Sequence, residues 1–483
     1  MNALDVARGA YARLPLGTRL GLGRVLRHVP PALKYGGTYR TWRARIARAG
    51  RDPAFAQAAQ DAALLALVAR ARDASPAWRA RLAPALGDGP LDGAALRAAW
   101  ARIPVLTGAE VVAEGRRLCT RDPSRLDECV TGGSSGRPVK FLIDRGRSPI
   151  EYAFVHDAWA RAGFGPGDTR AVFRGVDIAG PDHMHDEPAL GELRCSVFHL
   201  SDGVMAGYLA AIRARGIAFL HGYPSALAIF AAYVLRAHAP LRQIRGVLPV
   251  SERIPAPLRR NLERAFPEAV LAPFYGLSEK VAFANEVRGE PDTYAFEPLY
   301  GLTEIVDPAG EPVTRPGGRG RLVSTGLLFP GMPLIRYETG DEAELVEAAS
   351  PQNGARLRVR RIVPRHGHDY LVGRSGILVP LSGMLQVDEE ILGVGEFQFV
   401  QEEPGRVSLR IVPRNGAVPD FTGYLLRANR KAAGELEMRL EIVDQIPTTV
   451  RGKRKFIDQR LPVARDAARL ADSDLADADA AAD

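Results

Sequence analysis

Cysteine is nearly missing from this sequence: three residues in 483, Cys119, Cys129 and Cys195, odd in number and scattered. No disulfide framework follows from them, and the absence of any C-x-x-C spacing removes the usual zinc and thiol-redox motifs. Long apolar runs are scarce as well. The longest, Ala226 to Leu235, is too short to cross a bilayer, and the N-terminus lacks the contiguous apolar core of a signal peptide. Lysine is the third scarcity: only six of the 64 basic residues are Lys, at positions 34, 140, 280, 431, 453 and 455. Each place where a lysine is used therefore carries information. Together these absences argue against a secreted disulfide module and a membrane-spanning chain, and make a reducing cytoplasm the expected location.

What is present is ample core material. Hydrophobic residues make up 46% and charged residues 25%, over a length that suits two or more domains. The net charge of +8 would fit a nucleic-acid binder. Its distribution does not. Residues 1–50 carry ten Arg/Lys against the single acid Asp5, and residues 470–483 carry five Asp and no base. Removing +9 and −5 from +8 leaves +4 for residues 51–469, a nearly neutral body with no basic groove.

The basic head, with Leu14, Leu16, Leu20, Leu22 and Leu26 among arginines, predicts short helices broken at Pro15, Gly17, Pro30 and Pro31. Two readings stand for it: helices packed on the body with their arginines in water, or a peripheral contact with an anionic membrane surface at the inner face. Residues 61–72 have helical spacing. From about 130 to 345, strand-like runs (Ala171 to Phe173, Ile217 to Leu220, Gly246 to Val250, Val270 to Tyr275, Leu322 to Ser324) alternate with helical segments, which predicts an α/β body. Past residue 375, two strand-like runs joined through Pro404-Gly405 precede a helix capped by Asp420 and a further strand at Glu437 to Val443. The expected domains are therefore a basic segment at 1–50, a large domain at 51–374, a small α+β domain at 375–463 and an acidic disordered tail at 464–483.

The densest chemical signal is Thr131-Gly-Gly-Ser-Ser-Gly-Arg-Pro-Val-Lys140. Gly132, Gly133 and Gly136 free the backbone to fold its N–H groups around an anion. Thr131, Ser134 and Ser135 add hydroxyl donors, and Lys140 or Arg137 supplies charge. No Gly-Lys-Ser/Thr follows, so this is not a Walker loop. The embedded G-x-S-x-G would need a helix after the turn to act as a hydrolase elbow, whereas Pro138 and the strand-like Val139 to Ile143 follow. The loop therefore joins two strands; an ordinary surface loop is the plain alternative. Three further segments occur in order: Tyr275-Gly276-Leu-Ser278-Glu279 closing an apolar strand, Tyr337-Glu-Thr-Gly-Asp341 placing a carboxylate on a tight turn, and Gly452-Lys453 setting a scarce lysine on a flexible loop. The cluster His183, His185, Cys195 and His199 matches no zinc spacing.

Taken together, these segments resemble the adenylate-forming (AMP-binding) ligases, most closely the phenylacetate–CoA ligase and CapK-like branch, over the stretch from Ile103 to Phe456. The resemblance implies an α/β fold: a large multi-layer N-terminal ligase domain and a small mobile α+β C-terminal domain. It implies that Thr131 to Lys140 hold the β and γ phosphates of ATP, that Ser251-Glu252 line the adenine, where the family commonly has a glycine nearby, and that Tyr275 packs on the adenine. Ser278 would touch the α-phosphate, Glu279 would hold Mg²⁺, and Asp341 would bind the ribose hydroxyls with help from Arg374. Lys453 would reach the carboxylate and the α-phosphate. The acid's pocket would be lined by His221, Tyr223, Pro224, the helix that follows, Gly276 and Phe283. Ser375-Gly376 departs from the Asp or Lys usual at the family hinge. The activity implied is ATP-dependent adenylation of an acyl or aryl acid, with coenzyme A as acceptor. Transfer to an amine or hydroxyl in cell-envelope polysaccharide synthesis is the alternative. A non-catalytic nucleotide- or nucleic-acid-binding protein on the same scaffold is a second alternative, suggested only by Arg451 to Lys455.

Overall fold

The computed structural model describes residues 9–11, 13–87, 89–130, 139–175, 178, 182–197, 200–254, 256–364, 370–375, 378–380, 394–413, 420–432, 434–447 and 457–461. The first helices are α1 (Leu16–Leu26), a single turn at Pro31–Lys34, and α2 (Gly36–Ala49). Pro15 sits just before α1 as predicted, whereas Gly17 lies inside it instead of breaking it. Next, α3 (Pro53–Ala74) takes in the whole predicted 61–72 segment, but its start is earlier: Pro53 occupies the first turn and the Asp52 side chain accepts from the Phe55 N–H at 2.9 Å.

A hairpin of β1 (Leu126–Val130) and β2 (Lys140–Asp144) precedes α4 (Ser148–Ala160). The chain then builds its first large sheet from β3 (Arg170–Arg174), β4 (Met184–Glu187), β5 (Glu192–Ser196), β6 (Phe219–Gly222), β7 (Gly246–Pro249) and β8 (Val270–Leu271), in the order β4-β5-β3-β6-β7-β8. All neighbours are parallel except the β4–β5 pair. The connecting helices are α5 (Asp202–Ala214), α6 (Pro224–Arg236) and α7 (Ala256–Ala265). Both faces are covered, as parallel sheets require. Strand alternation sends Phe219 and His221 of β6 toward α4, where they meet Phe164 and Trp159 at ring distances of 5.2 and 4.8 Å. On the opposite face Phe230 of α6 packs on Phe173 at 5.0 Å. Each such buried ring contributes roughly 1.5–3 kcal/mol.

The alternation of strand and helix stops there. From residue 274 onward the large domain is antiparallel: β9 (Phe274–Gly276), β10 (Phe283–Glu286), β11 (Thr293–Phe296), β12 (Gly301–Val306), β13 (Arg319–Gly326), β14 (Tyr337–Glu347) and β15 (Arg358–Pro364) form a seven-stranded sheet. The run Val270 to Tyr275, read as one strand, is two, because Pro273 lacks the N–H that a continued ladder needs and the chain crosses there from one sheet to the other.

The remaining strands are β16 (Tyr370–Val372), paired with β17 (Leu378–Pro380), and β18 (Val394–Glu403), β19 (Arg406–Pro413), β20 (Glu437–Ile442) and β21 (Ile457–Gln459), with α8 (Thr422–Lys431). The hairpin through Gly405, at φ +78, is as expected; α8 starts one residue later than expected, with Phe421 at its N-cap position, and Asp420 accepts from the Thr422 N–H at 2.9 Å from just outside the helix. Gln401 bonds both the N–H and the carbonyl of Val372, and Arg374 N–H bonds the Glu435 carbonyl at 2.9 Å. These bonds tie the chain to the small unit a few residues before position 375. The acidic tail lies outside the described residues.

Candidate active site

The glycine-rich loop connects β1 to β2, with Val130 opposite Lys140 in antiparallel register. A strand follows it, not a helix, so the elbow geometry is absent as predicted. Thr131, Gly132, Gly133, Ser134, Ser135 and Gly136 lie outside the described residues. The loop's exit is fixed, however. A Cβ on Gly108 would meet Val139 at 2.8 Å and the Tyr337 hydroxyl at 3.8 Å, so these three pack together. Phe141, Leu142 and Ile143 line one cleft with Glu279, Lys280 and Val281. Lys140 pairs with Glu128 at 2.6 Å across the hairpin, about half exposed.

At this exit two segments lock together crosswise. The Tyr275 hydroxyl donates to Asp341 Oδ2 at 2.6 Å, and the Tyr337 hydroxyl donates to Glu279 Oε1 at 3.1 Å. Each segment thus supplies a tyrosine to the other's carboxylate. The tight turn expected at Tyr337 to Asp341 is instead the start of β14: Gly340, at φ +87, sits where the register with β13 shifts by a bulge, and Asp341 pairs with Pro364 of β15, its N–H held by Thr339 Oγ1 at 3.1 Å. Burial, opposed by the Tyr337 hydrogen bond and Lys280, holds the Glu279 carboxyl above the usual carboxylate range. Burial and Asp341 push the Tyr275 phenol far up, so it stays a donor. Gly276 and Ser278 are exposed on the same segment. Lys280, at φ +58, turns away to Glu151 at 2.7 Å, which also accepts from Tyr300.

A second group sits at the carboxyl ends of the parallel strands. The chain goes from β3 to β5 on one side and returns to β6 on the other, the kind of switch point at which parallel sheets open a crevice. Tyr223 and Pro224 start α6 there, and the exposed Arg174 lies over the Tyr223 ring at 6.0 Å. A Cβ on Gly222 would come within 2.1 Å of the Phe173 carbonyl oxygen, so only glycine lets β6 approach β3 this closely. After β7, Ser251 adopts φ +70, a left-handed conformation that glycine takes at no cost. This agrees with the glycine expected near that position. Arg253 ties the Ser251-Glu252 loop to Asp292 of the antiparallel sheet at 2.8 Å.

Three expected pocket residues are built into packing, Tyr223 among them, buried in the core beside the parallel sheet. His221 is buried against Trp159 with Nδ1 2.7 Å from the Leu248 carbonyl, and burial lowers its pKa well below the ordinary value. Phe283 is buried in a stack with Phe274 at 4.8 Å. Arg374 pairs with Glu437 on β20 at 3.1 Å, so its side chain is engaged within the small unit. Lys453 and His199 lie outside the described residues. Among the described residues no group of three His, Cys, Asp or Glu is placed to hold a metal, and Cys195 is buried. A single carboxylate is compatible with Mg²⁺ bound mainly through phosphates. The raised Glu279 pKa fits this, because a cation would relieve the burial of its charge.

Sequence reasoning gave no role to Tyr337, Lys280 or Arg174. The scarcity of lysine was a signal for Lys280. Nothing local marked Tyr337 as the partner of a residue 58 positions away.

Residues 371–460 match the family model described as the CapK C-terminal domain. The structure superposes on 2-hydroxyisobutyryl-CoA ligase in complex with 2-HIB-AMP and CoA, in the thioesterification state, with a TM-score of 0.52 at 18% identity, covering 87% of this chain and 94% of the other. The chain has the fold of the adenylate-forming ligases. The open conformation of the same ligase gives a TM-score of 0.50 at 18% identity, covering 84% and 92%. Protein CapK of Staphylococcus aureus is 24% identical over 377 residues, which is 74% of this chain and 79% of that protein. The crossed tyrosine–carboxylate pairs thus lie on the antiparallel sheet, between β14 and the segment from β9 to Lys280, beside the exit of the glycine-rich loop.

Proposed function

We propose that this protein adenylates a carboxylic acid with ATP and passes the acyl group to coenzyme A. The observation that carries the reading is the convergence of Glu279 and Asp341, each held by the other segment's tyrosine, at the loop exit. An oxygen of the acid forms a bond to the α-phosphorus, the bond from that phosphorus to the α,β-bridging oxygen breaks, and the β and γ phosphates leave as pyrophosphate; two anions must meet, so positioning and charge neutralisation supply most of the rate. The loop's backbone N–H groups and hydroxyls would hold the β and γ phosphates. Asp341 would accept from the ribose hydroxyls, Tyr275 and Glu252 would flank the adenine, and Glu279 would hold the Mg²⁺ that neutralises the phosphates. The acid would enter at the ends of β3 and β6, where Arg174 stands over Tyr223. Lys453 would bring a mobile point charge to the reacting carboxylate, on a small domain that moves between the two half-reactions.

ATP–pyrophosphate exchange across a panel of aromatic and aliphatic acids is expected to show acid-dependent activity. Lys453→Ala should reduce it by about a hundredfold or more; undiminished exchange in that variant would sink the reading. The second version, implied by the resemblance to the CapK-like branch, keeps the adenylation and has an amine or hydroxyl as acceptor. Acceptor assays with coenzyme A separate the two, since thioester formation at the rate of exchange removes the second.

A further inference from the structure

The basic head has two faces, and only one is used by the body. On the inner face, Tyr11 donates to Glu187 at 2.7 Å, Arg19 pairs with Glu187 at 3.4 Å and Arg27 donates to Thr169 at 2.7 Å, while Lys34 donates to the Ala189 carbonyl. A Cβ on Gly23 would lie 3.0 Å from the Ala189 N, so α1 is pressed flat against this edge of the parallel sheet. The outer face is different. Leu22 is 42% exposed, Val25 66% and Leu33 75%; the described residues contain only seven large exposed hydrophobic side chains, and these three fall within twelve positions. Leu22 and Val25 are three apart on α1 and share a face. Arg24 on the same helix and Arg13 just before it are exposed and make no ion pair among the described residues, and no acid occurs between Asp5 and Asp52.

We propose that this outer face docks on the surface of an anionic phospholipid bilayer. An apolar centre with a cationic border and no acid matches a negatively charged interface: the aliphatic side chains enter the headgroup boundary and the arginines meet phosphates. A protein surface large enough to cover the face would ordinarily bring acids against it, whereas a bilayer supplies both partners at once. The contact is peripheral, since no helix among the described residues is long and apolar enough to cross a membrane. It is also independent of the adenylation reading, because none of these residues lies at the nucleotide site.

Flotation of the full chain with vesicles of phosphatidylglycerol and phosphatidylcholine, against phosphatidylcholine alone, tests this directly. Binding is expected on the anionic vesicles only, and weakened by salt. The pair Arg13→Glu and Arg24→Glu should weaken it by roughly thirtyfold or more, and Leu22→Glu with Val25→Glu should abolish it, with thermal unfolding unchanged in both because the altered side chains are exposed. No binding to anionic vesicles, or binding indifferent to these changes, overturns the proposal. So does a concentration-dependent dimer in light scattering that the same changes dissolve, since a second copy would then be the occupant.

Discussion

At the scale of single residues, the candidate site holds a carboxylate, Glu279, whose charge burial disfavours. Burial raises the Glu279 pKa and the Tyr337 hydroxyl opposes that shift. Removing the hydroxyl in Tyr337→Phe raises the pKa further, so the acid limb of the pH–rate profile should move to higher pH. Identical profiles would show that Tyr337 does not tune Glu279. Glu279→Gln should abolish exchange without loss of stability. A carboxyl whose folded pKa lies above its unfolded one destabilises the fold as pH rises between the two, and the amide removes that cost. Arg336 is a contrasting case: it is 1% exposed, paired with Glu304 at 3.2 Å, and donates to the carbonyls of Ala101 and Ile103. Arg336→Met would leave Glu304 buried without its partner, a loss of about 3–5 kcal/mol, read as a lowered urea midpoint.

At the scale of elements, backbone conformation decides which side chains reach the site. Ser251 at φ +70 carries a cost that glycine would not, so Ser251→Gly is expected to stabilise the fold by about 1 kcal/mol, seen as a raised melting temperature with exchange retained. Gly222→Ala has the opposite sign. Its methyl would lie 2.1 Å from the Phe173 carbonyl oxygen, forcing apart the ends of β3 and β6. A loss of roughly 1–3 kcal/mol and a raised KM for the acid should appear together. Much at this scale was legible in the sequence: the strands on either side of the glycine-rich run, the β18–β19 hairpin and the Asp420 bond to the start of α8 follow from local turn chemistry. The split of residues 270–276 between two sheets was not, because the apolar pattern runs on through Pro273 and only long-range pairing shows where one sheet ends.

At the scale of the whole molecule, the packing around the parallel sheet buries two histidines, His156 on α4 and His221 on β6. Burial and nearby cations hold His156 at about 3, and His221 is likewise lowered. A histidine whose folded pKa is depressed contributes stability above its unfolded value near 6.5 and loses it as pH falls toward the folded value. Each such group costs up to about 1.4 kcal/mol per pH unit in that window. The urea midpoint should therefore fall steadily from pH 6.5 to 5, and His156→Gln, which keeps a partner for the Tyr39 hydroxyl, should flatten the fall. An unaltered pH dependence in that variant would exclude His156 as a cause.

What the sequence by itself determined is the order of the candidate segments: a glycine-rich run after a strand, an aromatic–carboxylate segment, a carboxylate beside a glycine and a scarce lysine beside a glycine, each set by local residue types. It also determined the uneven charge, a basic head on a nearly neutral body. Only the tertiary structure decided that Tyr275 serves Asp341 and Tyr337 serves Glu279, that His221 and Phe283 are spent on packing, and that the head presents one face to the body and another to solvent. The reason is physical. Turns and caps depend on neighbours along the chain, whereas hydrogen bonds between residues 58 or 66 positions apart, and the side a helix turns outward, depend on how the sheets and helices pack.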